Sequence, residues 1–312
     1  MFVNDGVCAG VGVAIVAPGG YAPDEMALSR AEALLASYGC HVKSYYEPAA
    51  KHQRFGGTDD ARIGQIHAAA NDPDIQVVLS LRGGYGMSRL LHAIDFSMLA
   101  ASGKLFVGHS DFTAFQMGLL VRTGAVSFSG PMICDDFSRP EPSDFTLHHF
   151  WQCLRNPECT VRFEVRENPV VDVSGVLWGG NLAMLAHLAG TPYLPQIDNG
   201  ILFVEDINEH PYRVERMLLQ LFHAGVLSRQ KAIVFGDFSN YRLSDYDNGY
   251  DFAAMLAYLR AQLNVPVLTG LPFGHIRDKV TLPVGCTAHL VSNGESIRLT
   301  MSGYPFLSLT NW

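Results

Sequence analysis

KLFVGHSDFTAFQMGLLVRTG, residues 104–124, carries in miniature the pattern that repeats along the chain. An apolar run of strand length breaks at Gly108-His109-Ser110-Asp111, and the residues beyond that break read as a helix closed by Gly124. The same order recurs on its N-terminal side. GVAIVAP (residues 12–18) precedes APDEMALSRAEALLASYG (22–39), ended by Gly39, and IQVVLSL (75–81) precedes GMSRLLHAI (86–94). Strands and helices alternating at these lengths predict crossover units, an α/β fold whose parallel sheet is covered on both faces.

The pattern changes at NPECTVRFEVRENPVVDVSG (156–175), where apolar and charged residues alternate around two prolines without helical period. This stretch is expected to hold a linker plus an antiparallel strand. It divides a first domain, residues 1–160, from a second, residues 176–312, with 161–175 as the linker. Alternation then resumes through GGNLAMLAHLAG, GILFVED, PYRVERMLLQLFHAG, KAIVFGDF, DFAAMLAYLRAQL and VPVLTGLPFGH. The clearest helix begins at Pro211, a residue suited to a first turn. Val214, Met217, Leu218 and Leu221 fall on one face, and Gly225 ends it.

With 312 residues, 48% of them hydrophobic, the chain can fill two sizeable cores. Its net charge of −8, without any lysine or arginine run, argues against a nucleic-acid partner. No apolar segment approaches the ~20 residues that span a bilayer, so no membrane association is expected. The N-terminus lacks the basic segment of a signal peptide and carries Asp5 there; it reads as a first strand. Six cysteines (Cys8, Cys40, Cys134, Cys153, Cys159, Cys286) form no C-x-x-C pair, which suits reduced thiols and a cytoplasmic location.

Chemistry concentrates at a few strand ends. Ser110 follows a strand and opens a helix, the setting of a nucleophile elbow, but Phe112 stands where G-x-S-x-G requires glycine, and the residues alone favour an N-cap serine. In LSLRGGYGMSRLL (79–91), Gly83, Gly84 and Gly86 permit close backbone approach to a ligand, and Arg82 suits a carboxylate. A dinucleotide fingerprint fails there because its third glycine position is Arg89, and no P-loop exists, so no nucleotide cofactor is expected. Glu205 and Asp206 end an apolar strand at the edge where open α/β sheets bind ligands; one could cap the next helix and leave the other to orient a histidine.

Of the 12 histidines, His275 follows a strand and a glycine, at the same edge as Ser110 and Glu205. His109 adjoins Ser110, so on extended backbone its ring should point away from the hydroxyl. His187 and His223 lie within helices, His148 and His149 lie far from any strand end, and His210 stands in the loop after Glu205. DYDNGYD (245–251) departs from a calcium loop in its glycine position and lacks the final glutamate, and no H-E-x-x-H or Cys/His cluster supports zinc.

Taken in order, RGGYGMSRLL, GHSDFTA, FSGPM, GVLWGGNLAML, GTPY, VEDINEHPYRVERMLLQL and FGH…VTLPVG resemble the serine LD-carboxypeptidases from about Val13 to the C-terminus. The resemblance implies a class I glutamine-amidotransferase-like N-terminal domain and a smaller C-terminal α/β domain, with the active site between them. It implies Ser110 as nucleophile, His275 as general base and Glu205 as the carboxylate orienting it, without cofactor or metal. The implied reaction releases D-Ala from a murein tetrapeptide, at the bond to the L-centre of meso-diaminopimelate or to L-Lys, in peptidoglycan recycling. A homodimer is also implied. On that basis the amides of Asp111 and Gly84, with Gly83 as the alternative, would form the oxyanion hole, and Arg82 would hold the D-Ala carboxylate. Activity should rise with pH through ~6.5 as His275 loses its proton. Family members that inactivate the peptide-nucleotide antibiotic microcin C carry the same triad and give a second reading. A non-catalytic binding protein and a nicotinamide-dependent oxidoreductase are the rivals from other classes.

Overall fold

A computed structural model describes residues 8–308, and the Asp5 segment lies outside them. The first half runs β1 (Gly12–Val16), α1 (Ala27–Ser37), β2 (His41–Ser44), α2 (Asp59–Asn71), β3 (Val77–Ser80), α3 (Met87–Leu90), α4 (Phe96–Ala101), β4 (Leu105–Gly108), α5 (Thr113–Thr123), β5 (Ser127–Ser129) and α6 (Asp144–Arg155). The second runs β6 (Glu158–Glu164), β7 (Val171–Asn181), α7 (Leu182–Leu188), β8 (Ile201–Ile207), α8 (Pro211–His223), β9 (Ala232–Ser239), α9 (Phe252–Gln262), β10 (Val267–Leu268), β11 (Leu282–Val284), β12 (Thr287–Ser292) and β13 (Ser296–Ser302).

These strands make two sheets, so the fold is mixed α/β. The first has the order β11-β5-β4-β3-β1-β2, parallel except for β11. Strands β1, β3, β4 and β5 are buried along their whole length, as strands covered on both faces must be. The second has the order β10-β9-β8-β7-β12-β13-β6 and changes character along β7. Residues 171–176 of β7 pair antiparallel with β12 and alternate between less and more exposed, while 177–181 pair parallel with β8 and are all buried. One strand thus joins a half-exposed antiparallel wing to a fully covered parallel core.

Two expectations need correcting. Residues 161–175 are not a linker: 158–164 and 171–181 are strands, and only 165–170 connect them. The charges in TVRFE are the outward half of a period-two strand, β6, paired antiparallel with β13. The chain of the second half also returns to the first sheet, where β11 lies antiparallel on β5. Helix α8 matches its expected face, with Val214, Leu218 and Leu221 buried and Met217 packed partly against the core, and Gly225 follows at φ 73°. Each fully buried leucine there contributes roughly 1.5–3 kcal/mol. All six cysteines are free. Among the described residues, no helix is long and apolar enough to cross a membrane.

Candidate active site

β4 ends at Gly108, and within two residues the chain turns into a 3₁₀ turn, Ser110–Phe112, continuous with α5. The turn forces Ser110 into the left-handed region, φ 62°, which a non-glycine residue rarely adopts. Its side chain makes no capping bond to this helix. Ser110 is therefore no N-cap; it is lifted out of the sheet at the start of a helix whose first residues, Thr113 to Leu119, are all buried. The RGGYG turn after β3 closes over it. A Cβ placed on Gly83 would lie 2.7 Å from both Cβ and Oγ of Ser110 and 3.3 Å from the Asp111 amide nitrogen, so only glycine fits. Gly84, at φ 103°, is exposed with nothing crowding it.

Two side chains hold this turn together, and neither role was evident from spacing. The buried Asp111 carboxylate accepts the Met87 N–H at 2.9 Å, tying the serine turn to α3. Burial raises its pKa. Arg62, wholly buried in α2, donates to the carbonyls of Pro18 and Gly86 and pairs with Asp59 at 2.6 Å.

Across from the serine, β8 ends in Glu205 and Asp206. His275 Nδ1 donates to Glu205 Oε2 at 2.8 Å, which directs the ring's Nε2 away from the carboxylate as an acceptor. Glu205 is fully buried, and its other oxygen accepts from Asn181 Nδ2 at 3.2 Å. Burial disfavours the charged imidazole, but the hydrogen bond and charge of Glu205 outweigh it, so the pKa of His275 sits above the ordinary histidine value. His275 does not directly follow a strand: β10 stops at Leu268, and a loop carries the chain on to Gly274, which has φ 141° and would meet Asp237 with a Cβ.

Neither acid caps α8, whose N-cap is the His210 ring accepting from Tyr212 N. Asp206 instead reaches back to α7, accepting Ala183 N–H at 2.9 Å and Asn181 Nδ2 at 3.0 Å. Burial, with the charge of Glu205, pushes its pKa up to about 6. Asn181 thus bridges both carboxylates and caps α7, while its own N–H donates to Thr113 Oγ1 at 3.0 Å, linking the acid pair to the helix that Ser110 starts.

The ring of His109 donates from Nδ1 to the Gly130 carbonyl at 2.8 Å and packs edge-on against His275, centroids 5.1 Å apart. It is buried, and burial, with the charges of Lys279 and His275, holds its pKa far below the ordinary value, so it is a neutral wall behind His275. Arg82 is half-buried beside the glycine turn and makes one long bond to Tyr21 O, 3.4 Å. Of the remaining histidines of interest, His187 and His223 are in α7 and α8, and His148 and His149 in α6; the charge of His187 reaches Asp111. Among the described residues no cluster of His, Cys, Asp and Glu is suited to a metal ion. Strand ends with a strained serine and a buried acid–histidine pair are parts from which acyl transfer is built.

Comparison with known proteins places the chain in a family. Residues 13–130 match the profile of the LD-carboxypeptidase N-terminal domain and 174–290 that of the LD-carboxypeptidase C-terminal domain. A Bacillus subtilis protein described as a probable murein peptide carboxypeptidase is 31% identical over 88% of this chain and 87% of its own. The microcin C7 self-immunity protein MccF of Escherichia coli is 25% identical over 78% of this chain and 79% of its own. The crystal structure of muramoyltetrapeptide carboxypeptidase from Oxalobacter formigenes superposes with a TM-score of 0.91 at 58% identity, covering 95% of this chain and all of that one.

Proposed function

The chain belongs to the LD-carboxypeptidase family, and from that premise we propose that it is a serine carboxypeptidase removing D-Ala from murein tetrapeptides, with Ser110, His275 and Glu205 as its triad. The observation that carries the proposal is the 2.8 Å bond from His275 to a fully buried Glu205. A carboxylate so placed fixes the tautomer with a basic Nε2 and stabilises the imidazolium that forms during reaction.

Ser110 Oγ attacks the carbonyl carbon of the L-centre residue as His275 Nε2 takes its proton. The tetrahedral oxyanion is met by the amides of Asp111 and Gly84, each such donor contributing roughly 3–4 kcal/mol. Collapse breaks the C–N bond, and His275 gives its proton to the departing D-Ala amine, leaving an ester on Ser110. Water, deprotonated by His275, then attacks that ester and restores the serine. Arg82, beside the glycine turn, is assigned to the D-Ala carboxylate, which it can hold with two parallel hydrogen bonds. Such a cation is needed because the substrate is polyanionic and the protein has a net charge of −8.

The test is D-Ala release from free murein tetrapeptide by wild type and Ser110→Ala with a chelator present. Release by wild type, untouched by chelator and lowered at least about 10⁴-fold in the variant, is expected. Release persisting in Ser110→Ala, or none from wild type, would overturn the assignment. A peptide-nucleotide of the microcin C type, run alongside, tests the second family activity; preferential cleavage of it would replace the murein substrate.

A further inference from the structure

Three thiols and a tyrosine hydroxyl meet outside the proposed catalytic centre, where the two halves of the chain join. Cys153 lies in the last turn of α6 and Cys159 is the second residue of β6, with only Asn156 and Pro157 between the two elements. The opposite end of α6, through Ser143 and Thr146, holds the segment after His275. Cys286 precedes β12, its carbonyl accepting the Leu177 N–H of β7 at 2.9 Å. Tyr304 follows β13 and packs edge-on against Phe128 of β5, centroids 6.0 Å apart. All four are buried, but Cys159 is 8% exposed and Cys153 and Cys286 each 1%. Solvent therefore reaches Cys159 first.

The contacts make these sulfurs unequal. The Cys153 thiol donates a hydrogen bond to the Cys159 sulfur, and the Tyr304 hydroxyl, buried and without an oxygen or nitrogen partner among the described residues, is directed at the same atom. Together they hold the Cys159 thiol below its ordinary pKa against burial and the charge of Glu158. Burial, with the same hydrogen bond, pushes Cys153 far up. Thiolate character thus falls on the more accessible sulfur with a protonated thiol beside it, the arrangement that reacts with a peroxide and then closes. The other thiol pair lacks this asymmetry of donors. Cys8 N–H donates to the Tyr38 carbonyl at 3.1 Å and Gly10 N–H to that of Gly39 at 3.0 Å, which sets Cys8 beside Cys40. Burial pushes the Cys8 thiol far up, and its hydrogen bond with Cys40 adds to that shift. Cys134, the most exposed of the six, has its thiol pushed up to about 12, again by burial.

We infer that Cys159 is a site of oxidation by hydrogen peroxide and that Cys153 resolves it into a disulfide, stapling the end of α6 to β6. The Cys159 sulfur attacks one peroxide oxygen, the O–O bond breaks, and the departing hydroxide takes up the proton that Cys159 had given to solvent, leaving a sulfenic acid and one water. The Cys153 sulfur then attacks the Cys159 sulfur, the S–O bond breaks, and the thiol proton leaves with the hydroxyl as a second water. Two thiols lose two electrons and two protons, and one peroxide gains them. This chemistry is independent of the tetrapeptidase reading.

The experiment treats the full chain, folded and reduced, with a small excess of hydrogen peroxide, blocks the remaining thiols with iodoacetamide after unfolding, and maps the peptides by mass spectrometry. The expected product is a Cys153–Cys159 disulfide that dithiothreitol removes, formed while Cys8, Cys40 and Cys134 are still alkylated. In Cys153→Ser the reaction should stop at a sulfenic acid on Cys159, trapped by dimedone. Tyr304→Phe should slow the first step about threefold or more, because the sulfur loses a donor and with it thiolate. A hydroxyl that merely fills space would on removal open the pocket, so faster oxidation of that variant would count against the site. A disulfide between any other pair, oxidation of Cys134 or Cys8 ahead of Cys159, or six thiols that stay reduced until the chain unfolds would each overturn it. Because the wild-type map needs no variant, the test stands even where a substitution impairs folding.

Discussion

Ser110 occupies a left-handed backbone conformation that costs a non-glycine residue on the order of 1–3 kcal/mol. Nothing about capping requires that strain, since its hydroxyl caps nothing in this helix; presenting the hydroxyl as the proposed nucleophile would. The partner pair makes a pH signature. Because the hydrogen bond and charge of Glu205 hold the His275 pKa above the ordinary histidine range despite burial, the rising limb of kcat/KM should lie above ~6.5, higher than a solvent-exposed histidine would place it. Glu205→Gln keeps an oxygen to accept from Nδ1 and removes the charge. Protonated His275 is then less stable, so the limb should move to lower pH while kcat falls about 10⁴-fold, the size of the loss when an amide replaces a triad carboxylate. Profiles measured from about pH 5 to about pH 9 decide it, and an unmoved midpoint would detach Glu205 from the base. At this scale Ser110, Glu205 and His275 stood out as candidates because Ser110 and Glu205 end or follow apolar strands and His275 follows a glycine, while their joint role came from the resemblance. The use of Asp206 was not, because a carboxylate that reaches back to α7 leaves no trace in local spacing.

At the scale of elements, periodicity was enough to order the strands and helices, since each buried face repeats at the spacing its backbone imposes. Partner choice was hidden: the three residues of β11 hold no signal for the sheet they join, because pairing is settled by what already lies there. The β6 strand was partly hidden for the opposite reason, its outward charges resembling the polarity of a linker. The RGGYG turn shows how an element acts on chemistry. Gly83→Ala would push a methyl against Ser110 Cβ and Oγ, and displacing a nucleophile by such a clash costs about 10²-fold or more in kcat/KM. Gly84→Ala meets no atom but must hold φ 103°, a strain of about 1–3 kcal/mol that should appear in the melting temperature first. Measured together by kinetics and thermal unfolding, the two variants should separate; full activity in Gly83→Ala would move the turn out of the site.

In the molecule as a whole, the site exists only where the two sheets meet, so its geometry depends on the contacts that join them. Besides the Asn181–Thr113 bond, the segment after His275 is fastened to the first half: Ser143 donates to Asp278, Thr146 Oγ1 donates to the Arg277 carbonyl and accepts from Lys279 N–H, and Lys279 pairs with Asp136. Both members of that ion pair are buried, and Asp136 also accepts the Met132 N–H at 2.8 Å. Removing one partner of a buried pair strands the other, at a cost of about 3–5 kcal/mol. Lys279→Met should therefore destabilise the protein by about that much. It should also release the His275 loop, lowering kcat. Burial already raises the Asp136 carboxyl above its ordinary pKa. In the variant the folded state holds that proton more tightly than the unfolded state, so stability should fall as pH rises from the unfolded carboxylate range, about 3.9, through the raised value. Adding Asp136→Asn removes the stranded charge while keeping an acceptor for Met132. The double variant should recover most of the lost stability and lose the added pH dependence in urea unfolding at acid and neutral pH. A double variant as unstable as Lys279→Met alone would mean that packing around the lysine stem, rather than the charge pair, joins the two halves here.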